Sequence, residues 1–229
     1  MQADVVVLGA GMIGVSVATH LQKRGKQVVL LDRRPPGEEA SFGNAGLVQR
    51  EGVFPHPFPR SMAELRRIAR NQSVDAYYHL SALPGLSWPL LQYWRNSEPE
   101  RYAALARQYS TLIASCTTEH KKLADEAGSS DLLRPIGYLR AYDSPAVLEA
   151  DLAKAELARE FGVNSAALDP AALAAAEPHL RTGYAGAIHW TDPYSCSDPH
   201  ALTLSYAALF KRLGGHFVIG EAATLQRQG

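Results

Sequence analysis

Cysteine is scarce in this chain: Cys116 and Cys196 are the only two among 229 residues, and neither lies in a metal-binding or redox motif. We therefore expect no disulfide scaffold, no metal site and a reducing compartment. No apolar run approaches the roughly 20 residues that span a bilayer. The first residues also lack the basic leader of a signal peptide, so the sequence predicts a cytoplasmic protein.

An excess of charge is also missing. Lys and Arg total 23, as do Asp and Glu, so the net charge is zero with neutral His. Proteins that bind nucleic acids present a strongly basic surface, so a nucleic acid is not expected as a partner. Apolar residues make up 46% of the chain and charged residues 20%, proportions that are typical of a globular protein rather than a disordered one.

The most informative segment lies near the start of the chain. Val5–Leu8 is a continuous apolar run, typical of a strand that is covered on both faces. It leads into Gly9, Gly11 and Gly14, whose spacing is that of a dinucleotide-binding turn. A helical pattern and a second apolar run follow, and that run ends at Asp32. The order predicts a β-α-β unit of the dinucleotide-binding type.

Each glycine of this turn is expected to have a separate structural role. Gly9 permits the tight turn after the strand, Gly11 lets a phosphate approach the backbone, and Gly14 lets the helix pack closely on the sheet. A pyrophosphate would then lie at the helix N-terminus, beside Met12 and Ile13, where free amides and the helix dipole favour an anion.

Asp32 predicts how a ribose is held. It follows Gly9 by 23 residues, close to the roughly 20 expected for the carboxylate that accepts hydrogen bonds from ribose hydroxyls. A carboxylate there repels a 2′-phosphate, which disfavours NADP, although the neighbouring Arg33 weakens that argument. On this motif alone, both NAD and FAD stay open.

A second glycine-rich loop, residues 41–46, completes a resemblance. Together with the first glycine turn, Asp32 and the later Asp198-Pro199 step, its sequence Ser-Phe-Gly-Asn-Ala-Gly resembles the FAD-dependent oxidoreductases of the D-amino-acid oxidase-like superfamily. Within that superfamily the loop is most similar to the one in bacterial D-amino-acid dehydrogenases. The resemblance implies FAD as the cofactor. It also implies flavin contacts from one loop and an adenine contact from a later backbone position: Ser41, Gly43, Asn44, Ala45, Gly46, Leu47 and Ala223.

The resemblance suggests one substrate contact. In sarcosine oxidase-like relatives, basic residues near this position meet the substrate carboxylate, which Arg50 would bind in bidentate fashion. An exposed surface arginine is the alternative. No catalytic residue stands out, and none is required if the substrate amine enters neutral.

The predicted fold class is α/β, a Rossmann-like FAD-binding core with an α+β substrate domain inserted between the second and third parallel strands. We assign 1–50 and 195–229 to the FAD-binding domain and 51–194 to the substrate domain. A strand is expected at 216–219, one long helix at 100–127, and a proline-broken apolar segment at 80–91. That segment is interpreted as a kinked core helix, with contact to a membrane surface as the alternative.

Three functional hypotheses follow. The first is FAD-dependent oxidation of an amino acid or secondary amine by hydride transfer to flavin, which gives an imino acid and then a keto acid. The second is a non-catalytic FAD-binding subunit that needs a partner chain, because the family continues into a second half. The third is an NAD-dependent dehydrogenase. The expected partners are a small amine substrate and an unidentified electron acceptor, in the cytoplasm or on the inner face of its membrane.

Overall fold

The computed structural model describes residues 2–72 and 76–224. The helices are α1 (Met12–Lys23), α2 (Met62–Ala69), α3 (Leu83–Asn96), α4 (Pro99–Ile113), α5 (Cys116–Ala127), α6 (Pro145–Ala158), α7 (Pro170–Ala176) and α8 (Pro199–Arg212). The strands are β1 (Val5–Leu8), β2 (Val28–Asp32), β3 (Leu47–Val48), β4 (Leu133–Arg134), β5 (Tyr138–Tyr142), β6 (Ser165–Leu168), β7 (Gly186–Trp190), β8 (Tyr194–Cys196) and β9 (His216–Ile219).

The first three-stranded sheet, which we call sheet A, is parallel and has the order β1-β2-β9. The third strand therefore pairs with β2, and the long segment between them is an insertion, which confirms the predicted α/β core. Helices α1 and α8 cover one face of sheet A. The core beneath them is built from fully buried side chains, the largest being Val15, Leu30, Leu202, Tyr206 and Phe210.

The other face of sheet A corrects one prediction. Val6 and Leu8 of β1 are 45% and 53% exposed, and Val218 of β9 is exposed as well. The expectation that β1 is covered on both faces is therefore wrong within the described residues. An apolar run indicates that both faces of a strand can be buried. It does not indicate which polypeptide segment packs on the second face.

The remaining two sheets are antiparallel. The order is β3-β8-β4 in one and β5-β7-β6 in the other. The chain divides into two compact units: residues up to Glu51 with those from Ser115 onward, and residues 52–114. The assignment of 51–194 to substrate binding is a functional division, and it stays a prediction.

Two helix predictions need correction. The single helix expected at 100–127 is two helices, because α4 ends at Ile113 and α5 begins at Cys116. Before the break, the Ser110 and Thr111 hydroxyls donate to main-chain carbonyls one turn earlier, a competition that weakens helices. The segment at 80–91 is not broken by its prolines, since α3 continues through Pro89, and it is not a core helix, since no residue of α3 is buried.

Candidate functional site

The predicted cofactor residues meet at the carboxyl edge of sheet A. The amide of Gly9 donates to the carbonyl oxygen of Leu31 at 2.8 Å, and the amide of Gly220 donates to that of Asp32 at 2.9 Å. The glycine turn, Asp32 and the turn carrying Ala223 therefore follow strands that end side by side. This edge is where ligands bind in open parallel sheets.

The glycine turn brings the start of α1 close to the backbone of Gly9. Gly9 has φ +96°, a conformation that L side chains rarely adopt. A Cβ on Gly14 would lie 1.7 Å from the carbonyl oxygen of Gly9. A side chain at Gly14 is thus incompatible with this approach of α1 to β1, which is the role predicted for Gly14, whereas at Gly9 the backbone conformation alone disfavours one, since a Cβ there would meet no atom within 4 Å.

The N-terminus of α1 suits an anion. Gly11 is the N-cap and offers no side-chain cap, and the first turn contains no acidic residue. The first amides of a helix have no intrahelical partner, so those of Ile13 and Gly14 are directed outward with the positive end of the helix dipole. These features fit a pyrophosphate group.

Ser41 is held against this helix start. Its Oγ accepts a hydrogen bond from the amide of Met12 at 2.8 Å, and the residue is buried. A hydroxyl that accepts one bond still has its own hydrogen to donate. The predicted donation from Ser41 to a phosphate oxygen is therefore compatible with its observed contact.

Asp32 is fixed by two backbone amides. Oδ2 accepts from the amide of Ala10 at 2.6 Å, and Oδ1 accepts from that of Arg34 at 3.2 Å. A carboxylate has about four acceptor positions, so capacity for ribose hydroxyls is left. The neighbouring Arg33 pairs with Glu39 at 2.8 Å, and the Glu39 carboxylate raises the pKa of that guanidinium. Glu39 also pairs with Arg34 at 3.3 Å, so its single negative charge offsets part of the positive charge that would have favoured a 2′-phosphate.

The second glycine loop is anchored at its end and open in its middle. Gly46, at φ +63°, accepts a hydrogen bond from the amide of Cys196 at 2.6 Å, and a Cβ on it would lie 2.4 Å from the Cys196 carbonyl oxygen. Asn44 Oδ1 accepts from the amide of Gly46 at 2.8 Å. Phe42 is exposed, and a Cβ on Gly43 would meet no atom within 4 Å. The middle of the loop is therefore accessible to a ligand.

Strand β8, which holds this loop, was missed in the sequence. Leu47 of β3 pairs with Ser195 of β8, whose Oγ also donates to the carbonyl of Gly137 at 2.7 Å. A strand of three residues is too short to show periodicity. Burial raises the thiol pKa of Cys196, which disfavours its thiolate form. The predicted cap of α8 is confirmed, because Asp198 accepts from the amide of Ala201 at 2.9 Å.

Arg50 follows β3, and its side chain reaches the segment after α6. Its Nη2 donates to the carbonyl oxygen of Phe161 at 2.8 Å. The side chain lines an open cleft of about 430 Å³ whose other polar walls include Asn164, Asp192 and Tyr194. The predicted contact of Arg50 with a substrate carboxylate stays a prediction.

Residues 2–72 and 76–224 contain neither a candidate metal site nor a helix that could span a membrane. No three His, Cys, Asp or Glu side chains in these ranges form a group that could hold a metal ion. No helix of the same ranges has the length and apolarity needed to cross a membrane.

Comparisons with known proteins identify the family of the chain. A family model described as FAD dependent oxidoreductase matches residues 4–229. The chain is 29% identical to a D-amino-acid oxidase of Bradyrhizobium diazoefficiens, over 98% of this chain and 54% of that protein. It is 31% identical to a D-amino acid dehydrogenase of Rhodopseudomonas palustris, over 93% of this chain and 51% of that protein.

Solved structures show the same fold. Glycine oxidase from Geobacillus kaustophilus matches with a TM-score of 0.61 and 18% identity, over 94% of this chain and 46% of that one. An L-α-glycerophosphate oxidase from Mycoplasma pneumoniae with FAD bound matches with a TM-score of 0.53 and 13% identity, over 95% of this chain and 45% of that one. The chain spans about half the length of the relatives that it matches.

Proposed function

The chain belongs to the family of FAD-dependent oxidoreductases, and from that premise we propose that it holds FAD at the carboxyl edge of sheet A for the oxidation of an amino acid or amine. The observation that carries this proposal is the junction of α1 and β1. A Cβ on Gly14 would lie 1.7 Å from the Gly9 carbonyl oxygen, and the helix start, where Ser41 binds the Met12 amide, leaves the amides of Ile13 and Gly14 without an intrahelical partner. Such a cradle suits a dinucleotide pyrophosphate.

Each predicted residue has a role in holding the cofactor. The amides of Ile13 and Gly14 face the pyrophosphate, Ser41 donates its hydroxyl hydrogen to a phosphate oxygen, and Asp32 accepts from the ribose. The loop of residues 43–47 lies against the flavin because its middle is open and its end is fixed on β8. The exposed backbone around Ala223 meets the adenine.

When bound, FAD would supply the oxidant: the substrate C–H bond would give up its hydrogen with two electrons, the amine nitrogen would release a proton, and water would hydrolyse the resulting imine to a carbonyl product and ammonia or a free amine. We propose a D-amino acid as the substrate, since the relatives carry the names D-amino-acid oxidase and D-amino acid dehydrogenase. Arg50 is the group of this chain proposed to bind its carboxylate. Dioxygen and a dye, supplied in turn as electron acceptors, distinguish an oxidase from a dehydrogenase.

The cofactor proposal is tested by replacing Gly11 with Val. A Cβ on Gly11 already lies 3.2 Å from Ser41 Oγ, so the larger side chain fills the space in front of the helix N-terminus. We expect Gly11→Val to lose FAD in a fluorescence titration while keeping its far-UV circular dichroism. The matched control is Gly85→Val in α3, where a Cβ meets no atom within 4 Å. Unchanged FAD affinity in folded Gly11→Val, or tighter binding of NAD than FAD by the parent chain, would contradict the proposal.

A second candidate function is favoured by the open edge of sheet A. The amide of Val5 donates to the carbonyl of Gln27, directly before β2, and that of Gly9 donates to the carbonyl of Leu31 in β2. Because successive residues of a strand direct their backbone groups to opposite sides, those of Val6 and Leu8 point away from β2. Unpaired strand edges with exposed apolar side chains recruit another strand. We infer that a polypeptide equivalent to the other half of the relatives pairs with β1 and covers this face.

This second candidate predicts that residues 1–229 bind FAD weakly and do not turn over substrate alone. The test is an assay with added FAD, a dye acceptor, and D-alanine, D-proline, glycine or sarcosine. Turnover comparable to that of the Rhodopseudomonas relative would overturn it. In a second measurement, the remaining half of that relative is co-expressed with the chain and copurification is scored. Leu8→Lys is expected to abolish copurification, whereas Val147→Lys, at a similarly exposed position on α6, is expected to preserve it.

A further inference from the structure

Two arginines lie beside the proposed ribose site. Arg33 and Arg34 directly follow Asp32 at the end of β2, and both side chains are more than half exposed. An arginine at this place in a dinucleotide-binding fold accommodates a ribose 2′-phosphate, whereas a carboxylate favours a free 2′-hydroxyl. The chain therefore contains the residue types of two opposite specificities next to each other.

One carboxylate engages both arginines. Glu39 Oε1 accepts a hydrogen bond from Arg33 Nε at 3.0 Å and lies 2.8 Å from Arg33 Nη2. The same oxygen lies 3.3 Å from Arg34 Nε. Three guanidinium nitrogens thus converge on a single oxygen atom, and each arginine has at least one of its donors occupied by Glu39.

The backbone brings Glu39 back to the arginines. Gly37, at φ +82°, donates its amide to the carbonyl oxygen of Ala10 at 2.9 Å. Two residues later, the carbonyl oxygen of Glu39 accepts from the amide of Phe42 at 2.9 Å. Main-chain contacts on both sides therefore set the position of Glu39, and they do not require its side-chain charge.

The charge around the arginine pair is negative overall. The hydrogen bond from Glu39 and the charges of Glu39, Glu221 and Asp32 raise the pKa of Arg33. Three carboxylates thus act on two guanidiniums, and two positive minus three negative charges leave −1. A 2′-phosphate would add about −1.5 to −2 at neutral pH. Neutralising Glu39 would bring the local charge to zero and free the donors of both arginines.

We propose that Glu39 masks a latent 2′-phosphate site formed by Arg33 and Arg34, and thereby restricts the cofactor site to nucleotides with a free ribose 2′-hydroxyl. The inference rests on the proposed function, since it takes the adenosine ribose to lie at Asp32. Bonds between a guanidinium and a phosphate are among the strong hydrogen bonds of proteins, so two unoccupied arginines would hold a 2′-phosphate. Glu39 is a positioning residue here, because it acts on nucleotide choice through the two arginines.

The proposal is tested by displacing FAD from the chain with 5′-ADP or with 2′-phospho-5′-ADP, which differ only in the 2′-phosphate. The fluorescence of released FAD is followed. We expect the parent chain to prefer 5′-ADP, and Glu39→Gln to narrow that preference by about tenfold or more, as expected for new hydrogen bonds to a charged group. The matched control, Glu38→Gln, removes the same charge from the neighbouring exposed residue and is expected to behave like the parent.

A further variant separates freed arginines from a general change of charge. Adding Arg33→Gln and Arg34→Gln to Glu39→Gln is expected to restore the preference for 5′-ADP. A narrowed preference that survives the loss of both arginines would overturn the inference. Equal effects of Glu38→Gln and Glu39→Gln would also overturn it, as would loss of FAD binding in Glu39→Gln or a parent chain that binds both nucleotides equally.

The same titrations distinguish this inference from the proposed function. A parent chain that binds no FAD, or does not release it to 5′-ADP, would overturn the cofactor site and this inference with it. An unchanged preference in a Glu39→Gln chain that still binds FAD would overturn the inference alone.

Discussion

Replacing Gly14 by Ala tests the close approach of α1 to the backbone of Gly9. In an ordinary helix this change stabilises by about 1 kcal/mol, because alanine loses less backbone entropy. Here the new methyl would lie 1.7 Å from the Gly9 carbonyl oxygen, whereas real Cβ contacts essentially never fall below 3.0 Å. Helix α1 would have to move from β1 by more than roughly 1 Å, a displacement typical of overpacked cores.

The expected magnitude follows from what that movement disturbs. Val15 and Ala18 of α1 are fully buried in the core under sheet A, so their packing loosens when the helix shifts. Overpacking of a core costs about 1–3 kcal/mol. We therefore expect Gly14→Ala to lower the free energy of unfolding by about 1–3 kcal/mol, opposite in sign to the propensity effect, and to abolish FAD binding.

Urea denaturation followed by far-UV circular dichroism measures the stability change, and flavin fluorescence measures binding. The control is Gly85→Ala in α3, a helical glycine whose added Cβ meets no atom within 4 Å, and it is expected to gain up to about 1 kcal/mol. If Gly14→Ala were stabilised like Gly85→Ala and still bound FAD, the packing argument and the cofactor site built on it would both fail.

Three further predictions concern single side chains. Asp32→Ala is expected to weaken FAD binding by about 1–3 kcal/mol, the range for a hydrogen bond to a charged group, and wild-type affinity in a fluorescence titration would count against the ribose role. Asp198→Ala removes the cap on the Ala201 amide and should lower the urea midpoint by an amount equivalent to about 1 kcal/mol; an unchanged midpoint would refute the contribution. Burial beside Tyr206 lowers the pKa of His120, so the folded state resists protonation. Its stabilising contribution is complete above about pH 6.5 and decreases below it, by at most about 1.4 kcal/mol per pH unit, until the folded-state pKa is passed. Urea midpoints between pH 5 and 8 should therefore depend less on pH in His120→Gln, and equal slopes would contradict this prediction.

The sequence predicted the parts of the site that depend on short-range geometry. Gly9, Gly14 and Asp32 follow one another within a single β-α-β unit, so their spacing alone placed them at one edge of sheet A. The pairing of the second loop with β8 depends on contacts about 150 residues apart, between Gly46 and Cys196, and strands of two or three residues leave no pattern to detect. The prediction that both faces of β1 are covered was wrong. It was based on the apolar character of Val6 and Leu8, which does not depend on whether the described residues bury them.

The position of β9 next to β2 has a consequence for synthesis on the ribosome. About 180 residues separate Asp32 from His216, so at roughly 5–20 residues per second the first β-α-β unit waits about 10–40 seconds for its third strand. During that interval both edges of the β1-β2 pair lack a partner, and the apolar residues that α8 later covers are in water. Slow pairing of distant strands exposes a chain to aggregation. Nascent-chain lengths that end before His216 should therefore recruit chaperones more strongly than lengths that extend beyond Ile219.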